Sequence, residues 1–179
     1  MGEFNWNATE QITAHLSHTL SRCPGLVDLH LHPWHPAFLH AQPIFEHGRW
    51  PLLNRLSIRR IFPPYNSATL QTFIDAHPNL EHLYIDTDNF DPPNTQWVWA
   101  GSFPNLKALH IGPNWAIRPI MTPNTKRNLE YLSVVDMRSA DRVEHLRILG
   151  ELPILRFLAV QFSTVSPVLL DRLAQAVPQ

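Results

Sequence analysis

The hydrophobic positions of this chain follow a pattern that recurs six times. It reads proline, any residue, leucine, two residues, leucine, one residue, then leucine, isoleucine or valine. The first copy is Pro24, Leu26, Leu29, Leu31 and the second is Pro51, Leu53, Leu56, Ile58. Pro78, Leu80, Leu83, Ile85 and Pro104, Leu106, Leu109, Ile111 follow. The fifth copy lacks the proline (Leu129, Leu132, Val134), and the sixth is Pro153, Leu155, Leu158, Val160. Counted from each first leucine, the steps are 27, 27, 26, 23 and 26 residues.

The last two apolar positions of each copy alternate with polar ones, so they leave the same face of a β-strand while their neighbours point to the other. The pattern therefore predicts six short strands, centred near residues 29, 56, 83, 109, 132 and 158. Each is followed by roughly 18 residues that must return on the other side, because parallel strands require a crossover connection. One unit cannot cover its own leucines, and stacking units buries a continuous core.

Some return segments read as helices. Thr9 to Arg22 places Ile12, Leu16 and Leu20 at helical spacing. Ser67 to Ile74 is a second, with Ser67 as the N-cap. Asp141 to Leu152 offers Val143, Leu146, Ile148 and Leu149 for burial. Ser166 to Val177 begins with a capping serine and Pro167 at the first helical position. The returns at Asp86 to Ser102 and Gly112 to Arg127 read as irregular. The proline opening most copies ends the preceding helix, since it supplies no backbone donor and its ring clashes one turn back. With no linker composition anywhere, 1–179 reads as one domain, with a helical cap at 5–22 and a C-terminal helix at 166–179 where a seventh copy would begin.

The six Leu-x-x-Leu-x-Leu copies resemble the leucine-rich-repeat family from Leu26 to about Leu170. Trp50-Pro51-Leu52-Leu53, His77-Pro78-Asn79-Leu80 and Phe103-Pro104-Asn105-Leu106 are similar to the repeat regions of F-box-type proteins from mushroom-forming fungi. The resemblance implies an α/β solenoid, a horseshoe segment with a parallel sheet of about six strands on its concave side and helices and loops on its convex side. It also implies a surface for recognising a protein substrate. Two departures stand out. The family's loop-capping Asn or Cys position holds Trp34, Ile61, Asp88, Asn114, Met137 and Ser163, so only Asn114 conforms. No F-box precedes the first strand. A further likeness, to plant-type immune-receptor repeats, rests on Leu149-Gly150-Glu151-Leu152-Pro153 alone.

In this frame the outward strand positions form three columns. The first is Asp28, Arg55, His82, Ala108, Tyr131, Phe157, and the middle one His30, Ser57, Tyr84, His110, Ser133, Ala159. The third is His32, Arg59, Asp86, Gly112, Val135, Gln161. Arginine and aromatic residues are the usual anchors of protein interfaces. The expected partner-binding residues are therefore His30, His32, Arg55, Arg59, His82, Tyr84, Asp86, His110, Tyr131 and Phe157.

Composition narrows the alternatives. Hydrophobic residues make up 44% and charged residues 16%, a globular balance with little charge. A formal net charge of -1 provides no field for nucleic acid. Protonating all 11 histidines would move it from -1 to +10, so behaviour should change with acidity. Cys23 is the lone cysteine, the start lacks a signal-peptide pattern, and no apolar run would span a bilayer, which suggests the cytoplasm or nucleus.

Asp28-Leu29-His30-Leu31-His32-Pro33, with His35 beyond, is similar to the Asp-x-His-x-His strand of metal-dependent amidohydrolases. Those enzymes resemble eight-stranded barrels, for which 179 residues leave no room, and the leucines already belong to the repeat. Ser57, His30 and Asp28 suggest a hydrolytic triad, but no oxyanion loop accompanies them. Six glycines in all leave no phosphate loop. Trp34, Tyr65, Trp97, Trp99 and Trp115 read as loop anchors. The expectation is an interaction module without catalytic residues, metal or cofactor. A small enzyme or metal-binder using the histidine-rich face is the alternative.

Overall fold

A computed structural model of the protein describes residues 6–32, 41–59, 67–86, 103–112, 123–135 and 150–161, with Asp171 and Gln175. The strands stand where the pattern places them: β1 (Asp28–Leu31), β2 (Arg55–Arg59), β3 (His82–Asp86), β4 (Ala108–Ile111), β5 (Tyr131–Val135) and β6 (Phe157–Gln161). They form one sheet in the order β1-β2-β3-β4-β5-β6, every pair parallel. Leu29, Leu56, Leu83, Leu109, Leu132 and Leu158 fall in one register row.

Those rows make the core. Leu53, Leu80, Leu106 and Leu129 from the turns into the strands are fully buried, as are Leu109, Ile111 and Leu132. At ~1.5–3 kcal/mol for each fully buried aliphatic side chain, the rows are the main favourable term. Leu26, Leu155, Leu158 and Val160, in the first and last units, are only partly buried. Strands β1 and β6 of those units stand at the two edges of the sheet and have one strand neighbour each among the described residues.

Backbone bonding repeats from step to step. The amides of Asn54 and Arg55 both donate to the Val27 carbonyl, and those of Glu81 and His82 to the Asn54 carbonyl. Glu81, Lys107 and Glu130 carbonyls each accept the corresponding two amides from the next unit. A side-chain ladder lies beside it: Asn79 Nδ2 donates to the Pro51 carbonyl at 2.9 Å, Asn105 to Pro78 at 3.2 Å and Asn128 to Pro104 at 2.6 Å. The loop-capping positions after the strands, from Trp34 to Ser163, lie outside the described residues. The three ladder asparagines instead stand before the strands, inside the Asn-Leu of the repeat.

Helices α1 (Trp6–Ser21), α2 (Gln42–His47), α3 (Ser67–Asp75) and α4 (Pro123–Asn128) precede the first strand or lie between later ones. Helix α1 packs on α2, and α2 on α3. Three expectations need correction. Ile12 is 57% exposed, and the buried face of α1 carries Thr13 and Ser17, with Leu16 and Leu20 partly buried. The Ser17 hydroxyl donates to the Pro43 carbonyl at 3.1 Å, which turns that polar face toward α2. Secondly, α2 was not foreseen. Thirdly, the segment from Gly112 to Arg127 contains the start of α4, which buries Thr125 against the Phe103 carbonyl. Of the helix expected over Asp141 to Leu152, residues 141–149 lie outside the described residues, while Gly150 and Glu151 form a turn and Leu152 is not helical. Most of 166–179 also lies outside them, and Asp171 and Gln175 there are both helical.

The residues before Pro51, Pro78, Pro104 and Pro153 form a buried column, Trp50, His77, Phe103 and Leu152, whereas Cys23 before Pro24 is exposed. Trp50 Nε1 donates to the Leu20 carbonyl at 3.0 Å, and its ring stacks on His77 at 5.9 Å. Gly48 makes room for the indole, because a Cβ there would stand 2.5 Å from the ring. His77 Nε2 accepts from the Trp50 amide at 3.1 Å, so its proton sits on Nδ1, which donates to the Phe73 carbonyl.

This arrangement uses the neutral imidazole. Burial lowers the His77 pKa, opposed by the bond to Phe73 and reinforced by Arg49. The unfolded chain then binds the proton more readily, so stability is full above about pH 6.5 and falls as the solution is acidified below it. Melting temperature should drop by several degrees between about pH 7 and about pH 5. His77→Gln, which cannot titrate, should flatten part of that drop. An identical pH profile for the two proteins would contradict this role for His77.

Candidate functional site

The strand register turns the three expected columns into observed rows. Asp28, Arg55, His82, Ala108, Tyr131 and Phe157 lie side by side, as do His30, Ser57, Tyr84, His110, Ser133 and Ala159. Arg59 pairs with Asp86, and Val135 with Gln161, in the third row. His32 stands just after β1 and is exposed. Seven of the expected residues, His30, Arg55, Arg59, His82, Tyr84, His110 and Tyr131, line one open pocket of about 440 Å³. His32, Asp86 and Phe157 are not among its lining residues.

Strand neighbours ~4.8 Å apart allow flat side chains to stack across the sheet. The Tyr84 and His110 rings do so at 3.7 Å with 6° between their planes. Arg59 Cζ lies 3.9 Å from the Tyr84 centroid, a cation–π contact. Three strands thus contribute one guanidinium, one phenol and one imidazole. Tyr131 and Phe157 form a second stack, with centroids 4.8 Å apart and planes 6° apart. They are 36% and 53% exposed, a large aromatic area open to a partner.

Polar connections fix the rest. His30 Nε2 lies 2.8 Å from Asp28 Oδ1, and Arg55 Nη1 is 3.9 Å from Asp28 Oδ2. His110 Nδ1 lies 2.8 Å from the Ser133 hydroxyl oxygen. Burial and the Arg59 charge push the His110 pKa down to about 4, so the ring is neutral at pH 7. His82 is lowered by burial and then by Arg55. The Tyr84 phenol is raised by burial; Arg59 opposes this, and the charge and hydrogen bond of Asp86 add to it. Arg59 Nε and His110 Nε2 are buried atoms without a hydrogen-bond partner among the described residues.

No family model, curated protein or solved structure matches the chain. What the site can do must come from its own chemistry.

The hydrolytic triad that the sequence suggests is not assembled among the described residues. Ser57 and His30 are opposite in register, and Ser57 is buried, yet no hydrogen bond joins them among the described residues. His30 is engaged with Asp28 instead. Among the described residues, no group of three or more His, Cys, Asp or Glu side chains is placed to hold a metal ion. Nor is any described helix long and apolar enough to cross a membrane. Trp34, Tyr65, Trp97, Trp99 and Trp115 lie outside the described residues.

The rows follow from alternation along the chain, whereas the stacking depends on χ angles as well as position. A charged row at the strand entries lies outside the repeat pattern. There Lys107 Nζ lies 3.0 Å from Glu81 Oε2, and Arg156 Nε 3.9 Å from Glu130 Oε2. Lys107 holds the Glu81 carboxyl below its usual range. Opposite charges one repeat apart (Glu81, Lys107, Glu130, Arg156) were the available signal.

Proposed function

We propose that the chain is a leucine-rich-repeat solenoid whose outward sheet face binds another protein. The observation that carries this reading is the pair of stacks, Arg59–Tyr84–His110 and Tyr131–Phe157, on one continuous face around a pocket of about 440 Å³. Flat, preorganised aromatic and arginine side chains have lost their rotamer freedom before binding, which is what makes such residues effective anchors. The likeness to repeat regions of F-box-type proteins gives the proposal its specific form, recognition of a protein substrate.

The test uses the chain as bait in a native extract, in four versions. Tyr84→Ala and Arg59→Ala should leave melting nearly unchanged and weaken a captured partner's binding by more than about tenfold. Gln71→Ala on α3, whose side chain donates to Asp75, should do neither. Partners held equally by all four versions would place binding elsewhere on the molecule.

A further inference from the structure

Two outward rows each carry a small residue between two ring-bearing neighbours. Ser57 stands between His30 and Tyr84, and Ala108 between His82 and Tyr131. Each small residue leaves a gap two strand steps wide, roughly 9.6 Å between the flanking backbones. The chain fills the first gap itself. Tyr84 has His110 stacked on its β4 side, so the Arg59 guanidinium, 3.9 Å from the ring centroid, lies on its β2 side, over Ser57. Ser57 is buried as a result. The second gap has no such filling among the described residues. Ala108 is half-buried, and it lines the open pocket together with His82 and Tyr131.

The walls of that second gap suit a flat group. Phe157 covers the β6 side of Tyr131 at 4.8 Å, with 6° between the planes, which leaves the other face of the phenol toward β4 and Ala108. A ring midway in the gap would lie ~4.8 Å from His82 on one side and from Tyr131 on the other. That is the separation at which Tyr131 and Phe157 already stack. The Ala108 methyl forms the floor, and His110, the next outward residue of β4, bounds one end.

We infer that the gap over Ala108 is a slot for one aromatic side chain of the partner protein, which enters between His82 and Tyr131 and completes the broken row of rings. The inference rests on the protein-binding reading above and names the chemical group recognised. Two kinds of side chain are flat enough to follow the example of Arg59, a guanidinium and an aromatic ring. Charge decides between them. Arg55 and Arg59 line the pocket and no carboxylate does. Asp28 lies three strands from β4, against His30 and Arg55. A guanidinium would therefore enter beside like charge with nothing to pair it, at a cost in desolvation. A neutral ring avoids that cost, and its π face attracts a guanidinium nearby. The pocket is open along the sheet face, so the backbone that carries the ring has room to continue over neighbouring strands.

The experiment pans a phage library of random heptapeptides against the full chain, then measures synthetic peptides by fluorescence anisotropy. Enriched sequences should share a Phe, Tyr or Trp. Replacing that residue by Leu, or making Ala108→Phe in the protein, should weaken binding by more than about tenfold, and Gln71→Ala should not. Ala108→Phe supplies the missing ring from the chain itself, so its melting temperature should stay level or rise. If that variant fails to fold, the leucine-substituted peptide against the unmodified protein decides. A folded Ala108→Phe variant that binds as the parent does would overturn the slot. So would enriched peptides that bind through Arg or keep their affinity when the aromatic becomes Leu, although dependence on Tyr84 would then leave the protein-binding reading standing. Indole alone binding as tightly as the peptides would overturn the assignment to a partner's side chain. No peptide whose binding depends on Tyr84 would overturn both.

Discussion

Leu83→Asp is expected to abolish the folded state. Leu83 is 2% exposed at the second position of β3, with Leu56 and Leu109 beside it in register. Removing the side chain costs ~2–5 kcal/mol through lost transfer energy and the cavity left behind. The carboxylate adds several kcal/mol, because nothing charged lies in that row to pair with it. Against a typical stability of ~5–15 kcal/mol, the two terms together exceed or nearly exhaust what holds the domain. Circular dichroism through a thermal ramp checks this: the variant should show no cooperative transition near that of the parent. A soluble variant melting at the parent temperature would mean that the inward register of β3 is wrong.

Trp50→Ala should be nearly as damaging, at about 3–5 kcal/mol. The indole is 2% exposed and sits edge-on to Phe73 at 5.9 Å and stacked on His77. Its truncation empties the space that Gly48 leaves open and removes one of the two donors to the Leu20 carbonyl, which keeps the Cys23 amide at 3.0 Å. Trp50→Phe helps to separate the two effects, since it keeps part of the ring packing while losing the N–H, worth ~1 kcal/mol, and the smaller ring of the indole. Urea denaturation of the three proteins gives the comparison. If alanine and phenylalanine prove equally harmful, the hydrogen bond rather than the packing dominates.

The strands were readable from the sequence because their signal is redundant. At Leu56 and Ile58, or Leu109 and Ile111, two alternating apolar residues fix which face is inward, and the copy one unit away repeats the statement. Helix α2 offers no such signal, for in Gln42–His47 only Ile44 and Phe45 are buried. Six residues cannot display a helical period. Helix α4, Pro123–Asn128, contains no apolar residue at all. Ile12 misled for another reason: positions 12, 16 and 20 do share a helix face. Contact with α2 decides instead for Thr13 and Ser17, which no hydropathy pattern can show. The column of Trp50, His77, Phe103 and Leu152 stayed hidden because its members share burial but not chemistry. At the candidate site, alternation was enough to place Arg59, Tyr84 and His110 on one face. Whether their planes would be parallel depends on side-chain torsions, which one-letter patterns do not encode.

The consecutive strand order bears on how quickly the chain finds its fold. Leu29 pairs with Leu56 and Leu109 with Leu132, each only one repeat step along the chain. The mean sequence separation of sheet contacts is therefore set by the length of a unit and not by how many units there are. Relative contact order falls as such an array lengthens, and folding rates across small proteins track relative contact order. Each new strand closes a loop of one unit onto a template already in place, so the closure entropy is modest and nearly the same at every step. Most parallel sheets order slowly because distant segments must meet first; in this one they never have to.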